Sequence, residues 1–198
     1  MYRIYSTEGL VLKGSDTGEA SKILVLFTRE LGLLYARAQS VREERSKLRY
    51  NLQDFSLAHF NLVRGKNGWR ITSAVDAENL SAVVHSGRKE ALGILGRVSG
   101  LLIRLLRGEE KDPELFSRVI SAFRALKEGT IPAAAFSDFE AVLLMRVLAR
   151  LGYWGEDATL SPFLTVSAIE SAETLTAFAP HRSRAVRRIN ASLRETQL

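Results

Sequence analysis

Over the first 80 residues, apolar stretches only four to nine residues long alternate with clusters of turn-forming and charged residues. Leu10 and Leu12 alternate with Val11 and Lys13, Gly14 to Gly18 supply turn residues, and Ile23 to Phe27 form an apolar run that ends at Thr28. This pattern predicts a β-hairpin. A short strand follows over Leu33 to Ala38, then a polar, strongly charged stretch from Ser40 to Tyr50, then renewed alternation over Phe55 to Val63. A turn at Gly65 to Gly68 leads into Trp69, Ile71 and Val75. Five strands, with one long basic connection and one short glycine-containing one, suit a small closed Greek-key barrel of the OB type. A sandwich of six or seven strands needs strands that the pattern does not supply.

From Glu90 the apolar period changes from 2 to about 3.6, the mark of helices packing on one another. Leu92, Leu95, Val98, Leu102 and Leu105 share one face of a first helix. In a second, Asp112 is placed as N-cap and Pro113 as first residue, with Leu115, Val119, Phe123 and Leu126 inward and Gly129 as the stop. A third runs from about Pro132 to Leu151, with Phe136, Phe139, Leu143, Val147 and Leu151 inward and Gly152 as a left-handed end. Together these predict one bundle. Near the C-terminus, Ser183 is placed to cap a short helix with Val186, Ile189 and Leu193 on its packing side. The expected class is therefore α+β, with a barrel over residues 1–80 and an all-α domain over 81–198 that ends in a basic helix.

Composition narrows the chemistry. A chain of 198 residues, 46% apolar and 25% charged, can bury a core of its own in one domain or two small ones. No apolar run approaches the ~20 residues needed to cross a bilayer, and the start lacks a signal-peptide layout, so a cytoplasmic location without membrane contact is expected. With no cysteine, and with His59, His85 and His181 scattered, the chain offers no disulfide, thiol nucleophile or zinc site, and no cofactor is expected. The acids Glu109, Glu110, Asp112 and Glu114 cluster in a helix connection, where solubility and complementation of the helix dipole suffice to explain them. No glycine-rich phosphate loop and no Gly-x-Ser-x-Gly turn is present, which points away from an enzyme. A formal charge of +6 favours acidic partners such as nucleic acid.

Two stretches carry a family resemblance. Glu8 to Lys13 (EGLVLK), Gly18 to Leu24 (GEASKIL) and Phe27-Thr28 with Gly32 resemble the start of the bacterial recombination-mediator family RecO. Far along the chain, Phe139, Glu140, Leu143, Leu144, Leu148, Leu151, Gly152 and Tyr153 are similar to the RecO helix that precedes a cysteine-rich zinc module in many members. Where those members carry cysteines this chain reads WGEDATLSPF, so no zinc module is expected, and the tail is expected to be held by packing alone. The resemblance implies a DNA repair and recombination mediator of the RecFOR pathway, associated with the nucleoid. Such a protein binds single- and double-stranded DNA, anneals complementary strands and, with RecR, helps RecA displace single-strand-binding protein (SSB).

Candidate DNA contacts lie first in the long basic connection: Arg37, Arg42, Arg45, Lys47 and Arg49 outnumber Glu43 and Glu44. Cations there gain by releasing counterions from phosphates whatever the base sequence. RecO-like chains read Ala-Lys-Gly-x-Arg in this connection; Ala38 to Arg42 keeps the arginine without the lysine and glycine. Lys22 and Lys66 extend the track, and Tyr50 is the preferred stacking ring among Tyr35, Tyr50, Phe60 and Trp69. In the C-terminal helix, Arg184, Arg187 and Arg188 form a second basic cluster without nearby acids in sequence. For the acidic, apolar-ended SSB tail implied by the resemblance, Arg97, Arg104, Arg118 and Arg124 offer a basic rim beside apolar stripes. The competing reading is an OB-fold RNA-binding or protein-adaptor factor that does not touch DNA directly.

Overall fold

The computed structural model describes residues 3–39, 41, 48–82, 88–165, 169 and 171–195. Strands β1 (Ile4–Thr17), β2 (Ser21–Thr28), β3 (Gly32–Ala38), β4 (Ser56–Gly65) and β5 (Gly68–Asn79) close into a barrel in the order β1-β2-β3-β5-β4, with a short helix α1 (Leu48–Asn51) before β4. Neighbours run antiparallel except β3 and β5, which are parallel. Inward residues at alternate positions fill the interior, among them Leu24, Leu26, Leu34, Ala36, Phe60, Leu62 and Ile71.

The first hairpin differs from expectation. Gly14 lies within β1, its amide bonded to Asp54 Oδ1 at 2.8 Å, and the turn shrinks to residues 18–20. Long strands win because pairing continues from Lys13↔Val25 out to Thr17↔Ser21. A bulge lies between Val11 and Lys13, and Leu10, Val11 and Leu12 are all buried, Val11 within the barrel interior. In β5 a register shift leaves Ala74 buried and Val75 exposed.

After the barrel come α2 (Arg88–Leu105), α3 (Pro113–Glu128), a 3-10 turn (Ala133–Ala135), α4 (Phe136–Arg150), α5 (Ser161–Thr165), α6 (Ala172–Phe178), a second 3-10 turn (Ala179–His181) and α7 (Arg182–Glu195). The α3 start matches its sequence signals, since Asp112 Oδ1 accepts the Leu115 amide at 3.0 Å. Gly129 and Gly152 take φ of 72° and 79° as helix stops.

Contacts divide the chain into two compact units, residues 1–82 with 95–117, and residues 83–94 with 118–198. The boundary expected at 80/81 therefore differs from the contact pattern, because the end of α2, the connection after it and the first turn of α3 pack on the barrel. Phe116 meets Phe27 at 5.3 Å, Arg29 donates to Ser117 Oγ at 3.0 Å, and the Leu33 amide donates to Gly108 O at 3.1 Å. Gly32, with φ of 70°, is obligatory there: a Cβ would sit 2.4 Å from Glu110 O.

In the second unit α4 packs against α5, α6 and α7. Chain 172–195 is helical throughout, so Ser183 lies inside α7 and caps nothing. The buried stripe of α7 is Ala185, Ile189 and Ser192, with Val186 left 42% exposed. Ser171 instead caps α6, accepting the Thr174 amide at 3.1 Å.

Candidate nucleic-acid interface

In β3 the inward residues are Leu34, Ala36 and Ala38, so Tyr35 and Arg37 stand on the outer surface of the barrel. Tyr35 is 57% exposed. In register, Arg37 lies beside Ile23 of β2 on one side and Arg70 of β5 on the other. Ile23 is itself 40% exposed, and Lys13, exposed on β1, begins the row that continues through Val25 to Tyr35. Neighbouring residues on paired strands have Cβ atoms about 5 Å apart, and like charges placed so destabilise a sheet. Among the described residues neither Arg37 nor Arg70 has a carboxylate partner. The surface thus pairs an exposed ring with two adjacent uncompensated guanidinium groups.

The row Glu8–His59–Val75 across β1, β4 and β5 is different in kind. Glu8 holds Arg29 through two bonds of 3.0 and 2.7 Å, and Glu30 accepts from Thr7 Oγ1. Carboxylates dominate this region, which would repel a phosphate.

Other predicted contacts fare unequally. Arg42, Arg45 and Lys47 lie outside the described residues. Arg49 and Tyr50 are exposed on α1, Tyr50 at 73%, and Lys66 is exposed in the β4–β5 turn. Lys22 faces Asp16 at 3.8 Å, which partly offsets its charge. Phe60 and Trp69 are core residues, and Trp69 is held edge-on by Tyr5 at 5.0 Å. Sequence alone groups Arg70 with Arg64 and Lys66 around the Gly65–Gly68 turn, as a possible extension of the positive track, without pairing it with Arg37, and it favours Tyr50 over Tyr35 as the stacking ring. The signal for both was the strand period, once Leu34, Ala36 and Ile71 are taken as inward.

The C-terminal cluster requires a correction. Arg184 Nε donates to Asp157 Oδ2 at 2.9 Å, and Arg188 Nη1 lies 3.4 Å from the same oxygen, whose side chain is fully buried. Arg188 also sits over the Trp154 ring at 5.2 Å. The acid absent from the neighbouring sequence arrives from 27 residues upstream. Burial alone raises the Asp157 pKa, but the Arg184 hydrogen bond, the Leu160 amide, the Arg184 charge and the Thr159 amide outweigh it and hold the carboxyl below its ordinary value. The tail is thus secured by two arginines on one buried carboxylate as well as by packing such as Phe163 on Phe178 at 5.2 Å. Only Arg187 of the three remains an exposed cation without such a role.

Arg97 and Arg104 are exposed on α2, Arg118 is exposed and Arg124 half-buried on α3, and each already engages another group of the protein. The first two belong to one compact unit and the last two to the other. Among the described residues no group of acids and histidines is arranged to hold a metal, and no helix is long and apolar enough to cross a membrane.

Comparison with known proteins bears on the whole surface. Residues 1–80 match the family described as Recombination protein O N terminal. The chain is similar to RecO over most of its length, and its first 80 residues match the N-terminal part of that family. It is 31% identical over 156 residues to the DNA repair protein RecO of Heliobacterium modesticaldum, an overlap covering 78% of this chain and 54% of that protein. RecO of Pelotomaculum thermopropionicum is 30% identical over 151 residues, covering 76% and 56%, and RecO of Rubrobacter xylanophilus 29% over 152, covering 76% and 58%. The chain therefore spans a little over half the length of these RecO proteins.

Proposed function

We propose that this chain is a DNA-binding mediator of recombinational repair whose N-terminal barrel is of the OB type. The observation that carries the reading is the outer surface of β2, β3 and β5, where Arg37 and Arg70 lie side by side and Tyr35 is exposed next to them. A phosphate between the two guanidinium groups relieves their repulsion, and a base stacks on the ring. The strands 2–3 region is also where OB barrels in general take oligonucleotides. Arg49, Tyr50 and Lys66 are further exposed candidates on the barrel unit, and Arg42, Arg45 and Lys47 add positive charge in the sequence between β3 and α1. None of these contacts reads base identity, which suits a mediator that must act on any broken sequence.

Relatives named DNA repair protein RecO support extending the reading to single- and double-stranded DNA, annealing of complementary strands, and cooperation with RecR so that RecA displaces SSB. The acidic SSB tail would dock on the helical part beside Arg97, Arg104, Arg118 or Arg124. Action at the nucleoid in the cytoplasm, by binding and not by catalysis, belongs to the same proposal. The test is annealing of complementary strands coated with SSB, without nucleotide or metal. Acceleration, together with oligonucleotide affinity that falls steeply with salt, is expected. A protein that leaves a random oligonucleotide free at low salt would be an adaptor.

A further inference from the structure

The acidic connection between α2 and α3 does something that its composition does not announce. Glu109 reaches the end of β4 and β5, where its Oε2 accepts from Arg64 Nη1 at 3.0 Å and its Oε1 accepts from Trp69 Nε1 at 2.8 Å. Arg64 and Trp69 are direct cross-strand partners beside the Gly65–Gly68 turn, and the guanidinium lies over the indole at 5.4 Å. One charged and one neutral donor therefore converge on the two oxygens of a single oxyanion. Two oxygens of a phosphodiester are spaced closely enough to use the same two donors. Lys66, exposed two residues from Arg64, adds positive charge to the same turn.

Glu109 is a weakly held occupant. Its side chain is 38% exposed and that of Arg64 59%, so the pair sits where water competes for it. The backbone around it is fixed by the Leu33–Gly108 hydrogen bond and by the close approach of Glu110 to Gly32. Displacement then needs only rotation of the Glu109 side chain, with no movement of the connection. Trp69 is buried, and its N–H must keep an acceptor whichever anion supplies it.

We infer that Arg64 Nη1 and Trp69 Nε1 form a two-donor subsite for a backbone phosphate of nucleic acid, which Glu109 occupies in the free protein as an internal competitor. The inference rests on the nucleic-acid reading above and adds a separate contact at the barrel's β4–β5 end. Nucleic acid and the carboxylate exchange on the same donors, so the protein binds more weakly than its cations alone would allow.

The test uses the full chain and a fluorescein-labelled oligothymidylate, with anisotropy followed across a salt series. Glu109→Gln is expected to raise affinity about three- to tenfold and to steepen the log–log salt slope by about 0.7, the increment for one further phosphate on a single strand. Glu110→Gln removes the same charge one residue along and should leave the slope at the wild-type value. Adding Arg64→Gln to Glu109→Gln should abolish the gain. Equal slopes for both single variants, or a gain that survives the loss of Arg64, overturns the subsite while leaving the main binding surface intact. Because the chain has two tryptophans, Trp154→Phe isolates Trp69 emission. A shift on adding oligonucleotide is expected, and unchanged emission at saturation overturns the exchange. If no variant, wild type included, binds at low salt, the nucleic-acid reading falls and the subsite with it.

Discussion

Two arginine pairs of this protein, one close in sequence and one far apart, reach opposite electrostatic ends. Arg184 and Arg188, four residues apart on α7, share one buried carboxylate, that of Asp157. Arg37 and Arg70, from strands 33 residues apart in the chain, stand next to each other on the barrel without an acid among the described residues. The first pair spends its charge on holding the tail. The second pair has no carboxylate among the described residues to offset it and carries the repulsion between its two charges. Clustering in sequence is thus a poor guide to available charge, because what neutralises or concentrates a guanidinium comes from elsewhere in the fold.

The sharpest way to break this contrast is to remove the acid. Asp157→Ala leaves two guanidinium groups without their carboxylate and the Thr159 amide without its side-chain acceptor, while the Leu160 amide keeps the Asp157 carbonyl, and the melting temperature should fall by about 5–10 °C. Differential scanning calorimetry reads this directly, and an unchanged melting temperature would make the cluster incidental. The acid limb has a definite sign. The folded Asp157 pKa is lowered, so its contribution is fully present above the ordinary carboxylate range and is lost as pH falls below about 4. Asp157→Asn should accordingly show a shallower stability loss than wild type in that window.

Next in size, Arg37→Glu with Arg70→Glu should lower oligonucleotide affinity more than tenfold at low salt, while the melting temperature stays near wild type because one like-charge pair replaces another, so stability does not report on the repulsion. Arg37→Ala alone avoids that ambiguity: it should stabilise the sheet slightly and reduce the salt slope by about 0.7 in anisotropy titrations. Tyr35→Ala should cost single-strand binding about 1–3 kcal/mol, with Tyr35→Phe near wild type, as stacking requires the ring and not the hydroxyl. The smallest effect is expected for Arg187→Ala, which should change neither melting temperature nor affinity by more than about twofold. A larger loss of affinity would return α7 to the DNA path.

The barrel was legible because strand patterns and turn-formers are local. Ile23 to Phe27 and Phe55 to Val63 announce strands whatever their partners, and Asp112-Pro113 announces a helix start. Less legible was anything that depends on register. The bulge beyond Val11 and the shift that exposes Val75 are decided between strands, so no single stretch records them. The preference for Tyr50 over Tyr35 had the same root, since a strand aromatic is ordinarily inward until the inward set is known. Glu109 looked like a solubilising acid because its partners, Arg64 and Trp69, are some forty residues away.

By itself the sequence determined the five strands, the three long helices that follow them and the Asp112 cap, the excess of positive charge and the likeness to RecO, all of which reside in local periodicity or in contiguous motifs. Only the tertiary structure decided which cations remain available. Coulomb interactions act over a few ångströms of space, and the chain brings Arg37 to Arg70, Glu109 to Arg64, and Asp157 to Arg184 only once the barrel and the helices have closed.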